Sequence, residues 1–277
     1  MVNLNAQLLE KLPDQIALLQ RAWSYGDALF ESIRVFDGQM PLLPKHWARL
    51  EKGLRLMGYE VPNHWSAGFW AKEIGRVAPS NARVRLTVWR APGGLYRPED
   101  NSPQFLITAQ ALESNRYEWH SVGLQLGFCT SVRLPVDAFS GLKSLNAARY
   151  VAAAREAQQK QWDEGLVLNA YHRVCEATSS NVCWFEDDTL CTPPLTDGPV
   201  TGTLRELLFS LTFDPGFRIL EKEATMETIL GAEELFLCNA IRGILWVEKC
   251  EGKVYSNAKT KAVFEGLVRY LFENQVF

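Results

Sequence analysis

The sequence of 277 residues lacks the features that mark several classes of protein. No apolar run approaches the roughly 20 residues needed to cross a bilayer. The first residues are not a basic segment followed by an apolar one, so we expect no secretory signal. Basic residues are not in excess, since 29 lysines and arginines face 32 acidic residues and the net charge is −3. The sequence therefore predicts neither a nucleic-acid partner nor membrane binding.

Cysteine and histidine show none of the spacings of a metal site. The six cysteines form no C-x-x-C pair, and the four histidines (His46, His64, His120 and His172) are scattered. Each cysteine lies beside apolar or strand-forming residues, which is typical of small buried side chains in a reducing compartment. We therefore expect a cytoplasmic protein without a metal centre or a disulfide framework.

Length and composition indicate a globular protein with one large or two modest domains. Hydrophobic residues make up 47% of the chain and charged residues 22%, which excludes disordered and fibrous proteins. Strand and helix patterns alternate along residues 1–112, and the polar stretch 113–119 has no periodicity. We therefore predict an α+β protein with a small N-terminal α/β domain at 1–112, a connection at 113–119 and a larger domain at 120–277.

The predicted elements follow from apolar periodicity and from turn residues. Asp37-Gly38 is typical of a hairpin turn, and Pro44 of the first turn of a helix. We predict strands at 30–36, 40–43, 83–90, 104–112, 124–129, 165–169, 173–177, 181–186, 234–238 and 244–248. We predict helices that begin at Pro44 and Thr203, and helices over 145–162 and 257–274.

Lys143 and Glu176 stand in settings that can change their ordinary chemistry. Lys143 lies among glycine, leucine and small polar residues, where desolvation would lower its pKa and make it a Schiff-base nucleophile. Glu176 lies among strand-forming residues, where a buried anion requires a cationic partner such as a protonated pyridine nitrogen. Taken alone, each is more often an ordinary solvated side chain.

Gly202 and Arg49 are suited to a phosphate. Gly202 directly precedes a predicted helix, and the free amides at a helix N-terminus bind phosphate well. Arg49 lies off the apolar stripe of its predicted helix, where it can act as a bidentate donor. Taken alone, each also has an ordinary explanation, a relaxed turn or a surface arginine.

In combination and in order, these stretches resemble the class IV aminotransferases. Residues 25–35 resemble the family's YGDGLFETIRV, 46–50 its HLxRL, 176–182 its EGSTSNVF and 192–202 its TPPL run before a phosphate-binding turn. The resemblance covers nearly the whole chain. It implies fold type IV, in which a small α/β domain and a larger β-barrel-like domain hold pyridoxal 5′-phosphate in the cleft between them. It also implies a homodimer whose active sites borrow a loop from the partner subunit.

The resemblance assigns roles residue by residue. Lys143 would form the Schiff base, Arg49 would bind the phosphate and Glu176 would pair with the pyridine nitrogen. The other residues that would hold the cofactor are Ser179, Ser180, Asn181, Thr203 and Leu204 (through their amides), Asn239 and Ala240. The residues that would contact the substrate are Tyr25, Phe30, Arg90, Arg97 and Arg242.

The sequence departs from the family pattern at several places. Ala240 lacks the hydroxyl that the family often carries in this turn, so Asn239 or a backbone amide must replace that hydrogen bond. Ala147 stands where the branched-chain enzymes have a tyrosine, and Ala28 is the third residue of the usual GDG triplet. The family commonly has a threonine at the second of the two phosphate-binding amides, and Leu204 stands there instead.

Three family activities stay open: D-amino-acid transamination, branched-chain L-amino-acid transamination and aminodeoxychorismate lysis. By period two, Arg90 ends the apolar face of its strand, and Arg97 and Arg242 lie on loops, so each is a candidate to bind a substrate carboxylate. These arginines favour a D-amino-acid transaminase that passes the amino group to a 2-oxo acid. Against this, the D-amino-acid enzymes favour a tyrosine at Phe30, and the lyases share the sequence of residues 238–240.

Overall fold

Two sheets of different size organise the chain in the computed structural model, which describes residues 2–4, 7–9, 17, 19–211 and 216–273. Of these two, the three-stranded antiparallel sheet comes earlier in the sequence, and the nine-stranded mixed sheet follows it. A separate antiparallel pair is formed by β1 (Val2–Leu4) and β2 (Gln7–Leu9).

The small sheet is an antiparallel meander with three helices beside it. Its strands, in spatial order, are β3 (Ala28–Val35), β4 (Ala82–Arg90) and β5 (Pro103–Ala111). The helices are α1 (Gln20–Tyr25), α2 (Leu43–Leu56) and α3 (Ala67–Gly75). The side chain of Ser66 caps α3 by accepting a hydrogen bond of 3.1 Å from the Phe69 amide.

The two faces of the small sheet have different surroundings. Val84, Leu86 and Val88 are buried in one cluster with apolar residues of α2 and α3. Arg83 and Arg85 point to the opposite side of β4, because successive side chains of a strand alternate. That opposite side forms one wall of a cavity between the two sheets.

The large sheet is mixed and curls into a half-barrel. Its strands are β6 (Leu124–Phe128), β7 (Glu164–Leu168), β8 (Val174–Ala177), β9 (Asn181–Glu186), β10 (Thr189–Thr192), β11 (Arg218–Glu221), β12 (Glu234–Asn239), β13 (Gly243–Cys250) and β14 (Lys253–Val254). Their order is β11-β10-β9-β12-β13-β6-β7-β8, with β14 paired to β13. The helices of this part are α4 (Ala148–Gln159), α5 (Thr203–Ser210), α6 (Met226–Gly231) and α7 (Ala258–Phe272).

Both faces of the large sheet are buried, which β9 illustrates. Cys183 and Phe185 belong to a cluster that also contains the apolar faces of α5 and α7. Val182 and Trp184, which alternate with them, belong to a second cluster with residues of α6. A strand buried on both sides reads as a continuous apolar run, and this is the pattern of its sequence.

Most predicted elements are present, and the differences have local causes. The predicted strand at 40–43 is wrong: only Gln39 pairs back to Phe36, and the chain then turns into α2 at Leu43. The helix predicted over 145–162 begins only at Ala148, because the preceding residues pair with β3. The last residue of the helix predicted over 257–274 lies outside the described residues.

The chain passes from the small sheet to the large one between Ala111, the last residue of β5, and Leu124, the first residue of β6. The predicted connection at 113–119 falls in this stretch, which has no helix or strand. The division into domains at these residues stays a prediction. Among the described helices, none is long and apolar enough to cross a membrane.

Candidate active site

A cavity of about 390 Å³ lies between the small sheet and the concave part of the large sheet. Its walls contain all ten residues that the resemblance assigned to the cofactor: Arg49, Lys143, Glu176, Ser179, Ser180, Asn181, Thr203, Leu204, Asn239 and Ala240. Residues that are far apart in the sequence therefore come together here, as the resemblance implied.

Lys143 lies on a segment that is bonded to the small sheet. Its carbonyl oxygen accepts a hydrogen bond of 2.9 Å from the Phe30 amide, and the Leu145 amide donates to the Ala28 carbonyl at 3.0 Å. The side-chain nitrogen lies 4.6 Å from the centre of the Phe30 ring. Burial lowers the pKa of Lys143, and the charge of Arg49 acts in the same direction. More of the amine is therefore unprotonated at neutral pH, as nucleophilic attack requires.

Glu176 is a buried carboxylate at the end of β8. One oxygen accepts a hydrogen bond of 2.5 Å from the Tyr150 hydroxyl, and the other accepts one of 3.1 Å from the Val200 amide. Burial raises the pKa of Glu176 to about 7, although the two hydrogen bonds and the charges of Lys143 and Arg49 oppose the rise. A cation placed against this carboxylate would stabilise its ionised form.

The N-terminus of α5 forms a cup for an anion. The amides of Thr203 and Leu204 lie in its first turn, where N–H groups have no acceptor within the helix. A Cβ atom at Gly202 would lie 1.7 Å from the side-chain oxygen of Asn181, so the chain needs glycine here. Arg49 donates a hydrogen bond of 2.7 Å to the Thr201 carbonyl and so lies beside the cup.

Arg49 is held in place by a buried carboxylate that we did not assign from the sequence. Glu31 accepts two hydrogen bonds from the Arg49 guanidinium, one of them at 2.8 Å, and lies 2.6 Å from Nδ1 of His46. Burial alone would raise the pKa of Glu31, but Arg49 and His46 bring it down to about 2. The signal was available: Glu31 falls on the apolar face of β3, where a charge requires a partner.

The substrate residues predicted from the sequence divide into two groups. Phe30 and Arg242 line the cavity, whereas Tyr25, Arg90 and Arg97 do not. Tyr25 packs beside Tyr96, with ring centres 5.5 Å apart. Arg97 lies exposed on the loop after β4.

The assignment of Arg90 to the cavity is wrong within this subunit. Arg90 does lie on the face of Val84 and Val88, but that face packs against helices and not against the cavity. The Arg90 side chain is buried, where its Nε donates to Asp27 at 2.9 Å and its Nη1 to Asn101 at 2.6 Å. It therefore joins the residue that precedes β3 to the end of the loop that precedes β5.

Arg83 and Arg85 are the strand arginines that line the cavity. The guanidinium carbon of Arg85 lies 4.0 Å from the centre of the Phe30 ring. Within the described residues, neither guanidinium forms a hydrogen bond or an ion pair. By period two, both lie on the polar face of β4, opposite the apolar face that ends at Arg90 and that we took as the wall of the pocket.

The family model for class IV aminotransferases matches residues 28–250. The chain belongs to the class IV aminotransferase family. Aminodeoxychorismate lyase of Vibrio harveyi is 26% identical over 232 residues, which cover 83% of this chain and 85% of the relative. D-alanine aminotransferase of Bacillus licheniformis is 24% identical over 256 residues, which cover 90% and 88% of the two chains. Branched-chain-amino-acid aminotransferases are also among the relatives.

The crystal structure of 4-amino-4-deoxychorismate lyase from Pseudomonas aeruginosa resembles this structure with a TM-score of 0.79. It is 26% identical, and the match covers 97% of this chain and 98% of that one. The predictions of fold type IV and of a class IV enzyme that uses pyridoxal 5′-phosphate are therefore confirmed. The anion cup, the lysine and the buried carboxylate fit this cofactor, whose phosphate, aldehyde and ring nitrogen need those three partners.

This class IV enzyme shapes the turn before β13 through two polar residues. The Asn239 side chain donates to the Ser180 hydroxyl at 3.0 Å, and its oxygen accepts from the amides of Ile241 and Arg242, both at 2.9 Å. Ala240 contributes its carbonyl, which accepts from the Tyr117 hydroxyl at 2.7 Å. The side chain of Asn239 is thus hydrogen-bonded within the protein, and its contact with the cofactor stays a prediction.

Glu164 is a second buried carboxylate that we did not assign from the sequence. It accepts hydrogen bonds from the Thr178 hydroxyl at 3.1 Å, the Ser179 amide at 3.0 Å and the Ser180 hydroxyl at 3.2 Å. It also pairs with Arg242. One carboxylate thereby joins the 178–180 turn to a cationic side chain of the cavity.

Proposed function

We propose that the protein is an aminotransferase for D-amino acids, which passes their amino group to a 2-oxo acid through Lys143. The observation that carries this proposal is the cationic wall of the cavity. Arg83 and Arg85, both without an acidic partner among the described residues, and Arg242 suit a substrate that presents carboxylates. Leucine or valine, by contrast, would need an apolar wall for the side chain, so the charges disfavour branched-chain substrates.

The residues of the cavity divide the work of such a reaction. When bound, pyridoxal 5′-phosphate supplies a ring that stabilises negative charge at the substrate Cα. Lys143 Nζ is the base that takes the Cα proton, and its lowered pKa suits that role. Glu176 would keep a proton at the ring nitrogen, and the amides at Thr203 and Leu204 would hold the phosphate together with Arg49. The arginines of the cavity wall would orient the substrate carboxylate.

The second candidate is aminodeoxychorismate lysis, in which a C–O bond breaks and pyruvate leaves. Two observations favour it: the lyases share the sequence of residues 238–240, and two arginines without acidic partners suit a substrate with two carboxylates. The relative from Vibrio harveyi adds support, at 26% identity.

One set of assays separates these activities. The protein, loaded with pyridoxal phosphate, is mixed separately with D-alanine, D-glutamate, L-leucine and aminodeoxychorismate. We expect the two D-amino acids to convert the bound cofactor to its amine form, which the absorption spectrum reports. Conversion by L-leucine alone would contradict the proposal. Pyruvate release from aminodeoxychorismate, without the amine form, would favour the second candidate. The Lys143→Ala variant is the control that should be inactive in every assay.

We also propose that the protein acts as a cytoplasmic homodimer. Leu95 and Tyr96, on the loop after β4, are 74% and 90% exposed, as expected for a loop that contacts a second copy. Arg97, the next residue, would then reach the partner's cavity as a ligand for the substrate carboxylate. Sedimentation at several concentrations tests the assembly, and a monomer at micromolar concentration would contradict it.

A further inference from the structure

Tyr150 lies one helical turn after Ala147, the position where the branched-chain enzymes have a tyrosine. Ala147 immediately precedes α4, and Tyr150 is the third residue of that helix, so the two side chains project to the same side. Both residues line the cavity. A tyrosine hydroxyl therefore enters this cavity from a different position of the sequence.

Among the described residues, the hydroxyl of Tyr150 has one hydrogen-bond partner, the carboxylate of Glu176, at 2.5 Å. Burial and the charge of Glu176 raise the pKa of Tyr150 far above its ordinary value, so the hydroxyl keeps its proton and donates it to the carboxylate. Hydrogen bonds to an ionised acceptor are the short and strong ones. The contact therefore favours the carboxylate over the carboxylic acid.

The second oxygen of Glu176 is fixed independently. It accepts from the Val200 amide at 3.1 Å, so the two donors together set the plane of the carboxylate. The other groups that act on its charge are the cations Lys143 and Arg49. Of the groups that favour ionisation, Tyr150 is the one neutral side chain in direct contact with Glu176 among the described residues.

We infer that Tyr150 is a positioning residue that keeps Glu176 ionised and oriented toward the ring nitrogen of the cofactor. The inference rests on pyridoxal phosphate dependence and not on the identity of the amino substrate. A carboxylate that has taken up a proton can no longer hold a proton at the ring nitrogen as an ion pair. Tyr150 would thus act on the reaction through Glu176, without touching the substrate.

The test compares wild type and Tyr150→Phe, both loaded with cofactor labelled with ¹⁵N at the ring nitrogen. Without the hydroxyl, Glu176 becomes more basic and draws the proton away from the ring, so the ¹⁵N resonance should move toward that of unprotonated pyridine. The acidic limb of the kcat–pH profile should move upward by about one pH unit, because a hydrogen bond to a charged group is lost. KM should stay within about twofold.

Two further proteins make the result decisive. Tyr171→Phe removes the same hydroxyl at a tyrosine that is 63% exposed, and should change neither signal. In a Glu176→Gln background, Tyr150→Phe should have almost no further effect, because its target is already neutral. An unchanged resonance and pH profile in Tyr150→Phe would overturn the inference. So would full additivity with Glu176→Gln, or loss of cofactor binding, since either would make Tyr150 a packing residue. All of these outcomes are independent of which substrate the assays of function identify.

Discussion

Replacing Glu31 by glutamine tests how much its buried ion pair with Arg49, beside the proposed phosphate site, contributes to the free energy of unfolding. Glu31 is 1% exposed and the Arg49 side chain 10%, so water screens their interaction little. The pKa of Glu31 is lowered from its ordinary 4.5 to about 2. A difference of roughly 2.5 in pKa corresponds to about 3 kcal/mol of stability at neutral pH. That is also the order expected when one partner of a buried pair is removed.

The sign of the pH dependence follows from the lowered pKa. The stabilisation is complete above the unfolded pKa of 4.5 and is lost as the pH falls toward 2. The free energy of unfolding of Glu31→Gln should therefore lie about 3 kcal/mol below that of the wild type at pH 7. By the same relation, less than half of this difference should remain at about pH 3.

Urea unfolding of the cofactor-free proteins at fixed concentration measures this difference. Glu51→Gln is the matched control, because Glu51 pairs with Arg55 on the surface of α2, the helix that also carries Arg49. This exposed pair should contribute no more than about 0.5 kcal/mol to the free energy of unfolding. A loss of less than about 1 kcal/mol in Glu31→Gln at pH 7 would refute the reasoning. A loss that is equal at pH 7 and pH 3 would also refute it, because packing and not charge would then be responsible.

Substitutions at Gly202 and Glu164 give two further predictions. Gly202→Ala forces a Cβ against Asn181, which is held by a hydrogen bond of 2.9 Å to Val200. The dissociation constant of pyridoxal phosphate, measured by fluorescence titration, should therefore rise by about tenfold to a hundredfold. Gly75→Ala is the control, because the added carbon meets nothing within 4 Å, and it should leave the dissociation constant unchanged. Glu164→Ala removes the acceptor of the 178–180 turn and should lower the free energy of unfolding by about 2 kcal/mol, while Glu164→Gln should lower it less because its amide oxygen still accepts. Equal losses in the two Glu164 variants, measured by urea unfolding, would contradict that role.

Sequence reasoning succeeded where local pattern and tertiary surroundings agree. The predicted strand at 181–186 has the same bounds in the structure, because an apolar run ends there at turn residues on both sides. The cup at Gly202 could also be predicted, since a helix N-terminus carries its free amides wherever it lies. The order of their motifs, which resembles that of a known family, allowed Lys143, Glu176 and Arg49 to be assigned to one site, and all three line the cavity.

The contacts that could not be predicted are those in which the partner of a residue is distant in the sequence. The alternation of β4 was right, but which face meets the helices depends on how the small sheet packs, so Arg85 was overlooked and Arg90 was misplaced. Tyr150 was missed for a similar reason, since its partner Glu176 lies 26 residues away. The 145–162 helix was started too early because pairing of Leu145 with β3 overrides its helical propensity.

The binding groups for one small molecule are divided between two parts of the chain. Arg49, through Glu31, and Lys143, through its backbone, are attached to the small sheet. Glu176 lies on a strand of the large sheet, and the amide of Thr203 lies at the start of α5, which packs against that sheet. A bound cofactor would therefore connect the small sheet to the large one. At a thousandfold excess over its dissociation constant, such a ligand adds about 4 kcal/mol to the folded state. Much of that stabilisation should act on the contact between the two sheets, so the cofactor would stabilise the fold as well as take part in the reaction.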